Sequence, residues 1–83
     1  MRILYFSWIK EKIGVSSQEI NIDEKISDIS DLIMYLKNLS TNHHNALSDQ
    51  NSIRVAINKN FSSFDTKIKN GDEIAFFPPV TGG

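Results

Sequence analysis

Asn70-Gly71-Asp72-Glu73-Ile74-Ala75-Phe76-Phe77-Pro78-Pro79-Val80-Thr81-Gly82-Gly83 is the stretch on which the reading turns. Asn70-Gly71 is a strong turn signal. It launches residues 73–77, an apolar run rich in strand formers that stops at a proline pair. Pro78 and Pro79 have fixed φ and no N–H, so they can neither continue a central strand nor start a helix, and each pushes the residue before it towards extended geometry. Val80 and Thr81 are β-branched and favour extended backbone. Gly82 and Gly83 lack Cβ and can pass through a space too narrow for any side chain. From Phe77 to Gly83 the extended reach is roughly 20 Å at about 3.3 Å per residue. No packing task is visible for this tail, and at average glycine usage a terminal Gly-Gly arises in about 0.5% of chains by chance. An ordinary frayed end is therefore the weaker reading, and chemistry at the Gly83 carboxylate the stronger. Asp72 and Glu73 are adjacent on a strand, where consecutive side chains face opposite ways, so turn chemistry accounts for them better than a catalytic carboxylate pair.

Moving outward, Ile53, Val55 and Ile57 alternate with Arg54, Ala56 and Asn58 as another strand, and Asn58-Lys59-Asn60 reads as a tight turn into Phe61. Phe64 and Ile68 are spaced anchors in a looser stretch. Ile29, Leu32, Ile33, Leu36 and Leu39 recur at helical spacing behind a cap at Ser27 or Asp28, with Asp31 in the first turn. That stripe reads as core packing on a sheet and takes no site role. Residues 40–51 read as a polar loop in which Ala46 and Leu47 form at most a short helical turn. His43 and His44 point about 100° apart on any helix and have no acidic or thiolate neighbours at ligand spacing, so a solvated loop or partner contact is expected rather than a metal site. At the start, residues 3–9 read as a largely buried strand and residues 18–23 as its half-exposed hairpin partner, joined by the polar residues 10–17.

The expected order is strand, strand, helix, strand, short strand, strand. A hairpin, one main helix crossing one face and a last strand returning parallel to the first make an α+β fold of the β-grasp, ubiquitin-like kind, with a mixed sheet. Residues 1–77 are read as the β-grasp domain and residues 78–83 as its extended Gly-Gly tail.

At 83 residues there is room for one small core. Nine Lys plus Arg against ten Asp plus Glu give a net charge of −1 with no basic stripe, so no nucleic-acid partner is expected. Cysteine is absent, which excludes disulfides, thiolate metal sites and a cysteine nucleophile on this chain. Lys10-Glu11-Lys12 follows the first apolar residues too soon for a signal peptide, and no stretch approaches membrane-spanning length; a cytoplasmic protein without a membrane partner is expected.

The ending Phe76-Phe77-Pro78-Pro79-Val80-Thr81-Gly82-Gly83, with the preceding Asn70-Gly71-Asp72-Glu73-Ile74-Ala75, resembles the MoaD family, the small sulfur-carrying subunits of molybdopterin synthase within the ubiquitin-like group. Weaker likeness runs through residues 3–14, the helix with Leu32, and Val55-Ala56-Ile57-Asn58. Gly-Gly alone would say only ubiquitin-like. The proline pair points to this branch, since thiamin-pathway carriers share the glycines but typically lack it.

The resemblance implies a cycle in which a ubiquitin-activating-type, MoeB-like enzyme uses ATP to adenylate Gly83 and a sulfur donor converts it to a thiocarboxylate. The tail, Pro78, Pro79, Val80, Thr81 and Gly82, then enters a MoaE-like large subunit. There the sulfur passes to cyclic pyranopterin monophosphate, two charged tails being consumed per molybdopterin dithiolene. It further implies a heterotetramer of two small and two large subunits, with the active site mainly on the large one and this chain a non-catalytic donor. No cofactor or metal is bound by this chain; the ATP belongs to the activating enzyme. Phe6, Phe61 and Phe77 match positions that contact the large subunit, although at Phe61 the family often has an aliphatic residue. Three alternatives stand beside this reading: a carrier for thiamin or a tungsten pterin, a ubiquitin-like modifier ending in an isopeptide bond, and an interaction module with an inert tail.

Overall fold

A computed structural model describes residues 1–79. Five strands form one mixed sheet in the order β2-β1-β5-β3-β4, with β1 at Arg2–Tyr5, β2 at Ser17–Glu19, β3 at Arg54–Ile57, β4 at Asn60–Ser62 and β5 at Glu73–Phe77. β1 and β5 pair in parallel, from Arg2 opposite Glu73 to Tyr5 opposite Phe76, while the other pairings are antiparallel. The last strand returns beside the first, as the ubiquitin-like architecture requires. Helices α1 (Ser7–Ile13), α2 (Ile29–Lys37) and α3 (Thr41–Leu47) complete the fold. Their buried residues join Ile3, Tyr5, Val55, Ile57, Ile74 and Phe76 in one core. On the strands these core residues alternate with Leu4, Ala56, Ala75 and Phe77, so the register assigns the latter to the opposite, open face of the sheet.

The first strand is shorter than its composition suggests. It stops at Tyr5, Phe6 stays extended as the N-cap, and residues 7–9, expected as strand, are instead the start of α1. Ser7 has φ 57, which breaks the extended run. Ile9 and Ile13, four residues apart, are buried, and Gly14, at φ 98, closes the helix by donating from its N–H to the Lys10 carbonyl. The helical spacing joins Ile9, at the end of the run read as strand, to Ile13 in the stretch read as a polar connection, and tertiary packing of the two decided for helix. Pairing of β2 with β1 follows expectation, but β2 ends at Glu19 rather than spanning residues 18–23.

The main helix is capped by Asp28, whose carboxylate accepts from the Asp31 N–H at 2.9 Å. Asp31 returns the bond one residue earlier than a standard capping box, accepting from the Ser27 N–H and hydroxyl. The Ser27 main-chain N–H, then its hydroxyl, hold the Asp31 carboxyl below the usual range. Ile29, Leu32, Ile33 and Leu36 are all buried, whereas Leu39 lies past the Asn38 cap and is exposed, so the stripe ends one residue pair early.

Residues 40–51 are more ordered than a polar loop. Ser40 caps α3 by accepting from the His43 N–H, and Ala46 and Leu47 are buried. His43 is buried too, contrary to the solvated setting expected for it. Its Nε2 meets Gln18 Oε1 at 2.7 Å and its Nδ1 meets Ser40 Oγ at 2.7 Å. Gln18 Oε1 also accepts from the Tyr5 hydroxyl at 2.6 Å. An oxygen that accepts both bonds requires a proton on His43 Nε2, so in the neutral ring Ser40 donates to Nδ1. Burial pushes the His43 pKa below that of an ordinary histidine, and burial raises that of Tyr5. His43 is therefore neutral in the fold and free to charge in the unfolded chain. The unfolded state binds the extra proton, so stability falls as pH drops below about 6.5, the ordinary histidine value, towards the lower native value. Denaturant melts between pH 7 and pH 5 should show this loss. In His43→Gln that part of the pH dependence should vanish; an unchanged profile would remove His43 as its origin.

The hairpin from β3 to β4 turns on Asn58 and Lys59, at φ 51 and 72, the geometry of a type I′ turn. Asn58 does more than turn the chain. Its Nδ2 donates to Asp72 Oδ1 at 3.0 Å and its Oδ1 accepts from the Glu73 N–H at 3.0 Å, while Asp72 Oδ2 accepts from the Lys69 N–H. Burial works to raise the Asp72 pKa, but the Asn58 amide, the Lys69 N–H and the Lys69 charge together leave it lowered. Turn chemistry is thus what Asp72 performs. Asn58→Ala should lower unfolding free energy by about 2 kcal/mol, since it removes two hydrogen bonds and leaves a buried carboxylate oxygen without its donor. Urea titration would read this directly, and a midpoint equal to the parent's would contradict it.

Candidate functional site

The end of β5 is where the chain leaves the sheet, and three elements bring aromatic groups to it. Phe77 closes β5 and is half-buried. Phe6 sits one residue past β1; its N–H donates to the Phe76 carbonyl at 3.1 Å and its carbonyl accepts from the Lys10 N–H at 3.4 Å. That double tether, followed by the Ser7 reversal, fixes Phe6 beside the last strand with its side chain 48% exposed. Phe61 is delivered by β4, where it pairs with Ala56, itself opposite Ala75 on β5. Phe61 is 85% exposed. Its ring centroid lies 5.6 Å from that of Phe77, tilted by 46°.

Phe6, Phe61, Ala75, Phe77 and Pro78 line one shallow concavity of about 490 Å³. A second groove, about 300 Å³, continues past Phe61 and Phe77 to Arg54, Val55, Ser62 and Pro79. The three phenylalanines singled out from the sequence are therefore neighbours at the tail root, although they come from three separate parts of the chain. An apolar side chain as exposed as Phe61, set among other apolar groups, is costly to leave in water and marks a contact surface. Other exposed apolar residues, such as Val15 and Met34, lie outside this cluster.

Pro78 and Pro79 are half-buried at the rim. Val80, Thr81, Gly82 and Gly83 lie outside the described residues. Sequence reasoning did not single out Ala75 or Arg54 as part of this surface; the signal was the register, since Arg54 pairs with Phe77 and Ala56 with Ala75 on the open face. Among the described residues no group of three or more His, Cys, Asp or Glu could hold a metal ion, and both ring nitrogens of His43 are occupied by protein partners. Among the described residues no helix is long and apolar enough to cross a membrane.

The ThiS family model matches residues 3–83. The molybdopterin synthase sulfur carrier subunit of Escherichia coli (strain K12) is 34% identical over 83 residues, covering all of this chain and 99% of that protein. Among solved structures, SAMP1 from Haloferax volcanii superposes with a TM-score of 0.75 at 25% identity, covering 100% of this chain and 98% of that one. In the complex of subunits 1 and 2 of the molybdopterin-converting factor from Helicobacter pylori 26695, the matching chain has a TM-score of 0.66 at 25% identity, with 99% and 96% covered.

Proposed function

This chain belongs to the ThiS family, and on that premise we propose that it is the sulfur-carrying small subunit of a molybdopterin synthase. The observation that carries the reading is the full-length match to the E. coli sulfur carrier subunit. The aromatic surface at the root of the Pro-Pro-Val-Thr-Gly-Gly tail supports it.

The chemistry follows from what a terminal carboxylate can and cannot do. Gly83 ends in a poor electrophile. Attack of that carboxylate on the α-phosphorus of ATP, catalysed by a MoeB-like enzyme, expels pyrophosphate and leaves an acyl adenylate. Sulfide supplied by a donor then attacks the carbonyl carbon, the bond to AMP breaks, and the chain carries a thiocarboxylate. Splitting one hard substitution into two easier ones is the logic of covalent catalysis. The carried sulfur sits on the Gly83 carbonyl carbon, so a chain without cysteine can still transport it. In this reading Phe6, Phe61 and Phe77 dock on a MoaE-like large subunit while Pro78 to Gly83 thread its channel. Sulfur passes there to cyclic pyranopterin monophosphate, and two charged tails complete each dithiolene in a heterotetramer. The solved complex of the H. pylori subunits supports a large-subunit partner.

A second reading, ubiquitin-like modifier, is favoured by the similarity to a small archaeal modifier protein. It predicts isopeptide conjugates between Gly83 and lysines of other proteins. The test is to mix the thiocarboxylated chain with the large subunit and cyclic pyranopterin monophosphate. Formation of the dithiolene pterin supports the proposal. No pterin product from a large subunit shown to be active with another carrier would overturn it, and Gly83–lysine conjugates in a parallel incubation with ATP and the activating enzyme would put the modifier reading in its place.

A further inference from the structure

We infer that Arg54 is the charged contact of the docking face, pairing with a carboxylate of the large subunit at the rim of the pocket that receives Phe61 and Phe77; this rests on the docking reading above. The register carries the placement. Arg54 lies directly opposite Phe77 across β3 and β5, and it lines the same groove as Phe61, Phe77 and Pro79. It therefore stands where the apolar surface ends and the tail begins.

The guanidinium is held in place before any partner arrives. Its Nη1 donates to the carbonyls of Ile53 at 2.9 Å and Asn51 at 3.3 Å. Among the described residues its hydrogen bonds go only to main-chain carbonyls, so the fork keeps further donors and its full charge for another molecule. The open face carries a second arginine, Arg2, at its far end. Arg2 is opposite Glu19 on one side and Glu73 on the other, so the register surrounds it with acidic neighbours. At the tail end Arg54 lies opposite Phe77, and among the described residues no carboxylate hydrogen-bonds the guanidinium. A guanidinium held by main-chain carbonyls at the border of an apolar contact fits a planar carboxylate, which it can meet with two parallel bonds. An organic phosphate is disfavoured as the occupant, because besides Arg54 the groove offers a single polar lining residue, Ser62, among Val55, Phe61, Phe77 and Pro79.

A charge at an interface rim acts on association rate and its salt dependence, and fixes orientation. The test is association of the whole chain with its cognate large subunit across an ionic-strength series, for the parent, Arg54→Lys, Arg54→Met, Arg54→Glu and the far-end control Arg2→Met. Arg54→Met should slow association several-fold and flatten its salt dependence. Arg54→Glu should weaken binding by about 100-fold, as expected when like charges meet at an interface. Arg54→Lys should recover most of the salt dependence without the full affinity, and Arg2→Met should match the parent. Parent-like binding by Arg54→Glu, with Phe61→Ala still impaired, would overturn this inference and leave the docking reading standing. Parent-like binding by both would overturn the two together.

Discussion

Deleting Gly82 and Gly83 abolishes sulfur transfer completely and leaves the unfolding free energy within about 0.5 kcal/mol of the parent, the usual bound for changes away from packed or hydrogen-bonded features. The expectation follows from where the core lies. Among the described residues Phe76 is the last that is fully buried, and the described core is complete before the tail begins. In the proposed cycle the reacting carbon is that of Gly83; truncation moves the terminal carboxylate back to Thr81, about 7 Å short of its place and on a β-branched residue. Gly82→Val is the sharper variant because it keeps the length and the carboxylate. It adds a branched side chain to the segment proposed to thread the large subunit, where a residue without Cβ passes most easily, so transfer inside the large subunit should fail even if the thiocarboxylate forms. Single-turnover assays with the preformed thiocarboxylate separate the two steps. Undiminished transfer by the truncated chain would remove the tail from the mechanism.

Phe61→Ala weakens binding of the large subunit by about 100-fold, in the range of an aromatic anchor lost from an interface centre, and barely alters stability. At 85% exposure the ring contributes almost nothing to the core of the free chain, so the two effects separate cleanly. Phe77→Ala should cost binding at least as much, with some loss of stability as well, because Phe77 is half-buried between the strand end and Phe61. Calorimetric titration against the large subunit reads both. Tight binding by both alanine variants would mean that the carrier docks through another surface.

The parts of this architecture written in local pattern were legible in the sequence. The strand ending in Phe76-Phe77 before a proline pair, the stripe of Ile29, Leu32, Ile33 and Leu36, and the Asn58 turn each announce themselves through fixed φ, helical spacing or turn chemistry. The missed helix at Ser7–Ile13 and the buried His43 were not legible in that way. In residues 3–9 the β-branched and aromatic content favours a strand, and only packing of Ile9 and Ile13 on the core overrides it. His43 lies among polar residues, and two groups that meet its ring, Gln18 and Tyr5, are 25 or more positions away. The site divides along the same line. Tail and phenylalanines could be named from sequence and resemblance, because they are chemical types with a recognisable order. Arg54 could not, because its place beside Phe77 exists only once β3 and β5 are in register.

The central claim is that Gly83 carries sulfur, and intact-mass measurement tests it most directly. The whole chain is incubated with ATP, a sulfide source and its activating enzyme, whose activity is verified on another carrier, and the C-terminal peptide is then mapped. The account predicts a mass change equal to one oxygen replaced by sulfur, confined to the peptide ending in Gly83. An unmodified C-terminal peptide under those conditions would contradict it.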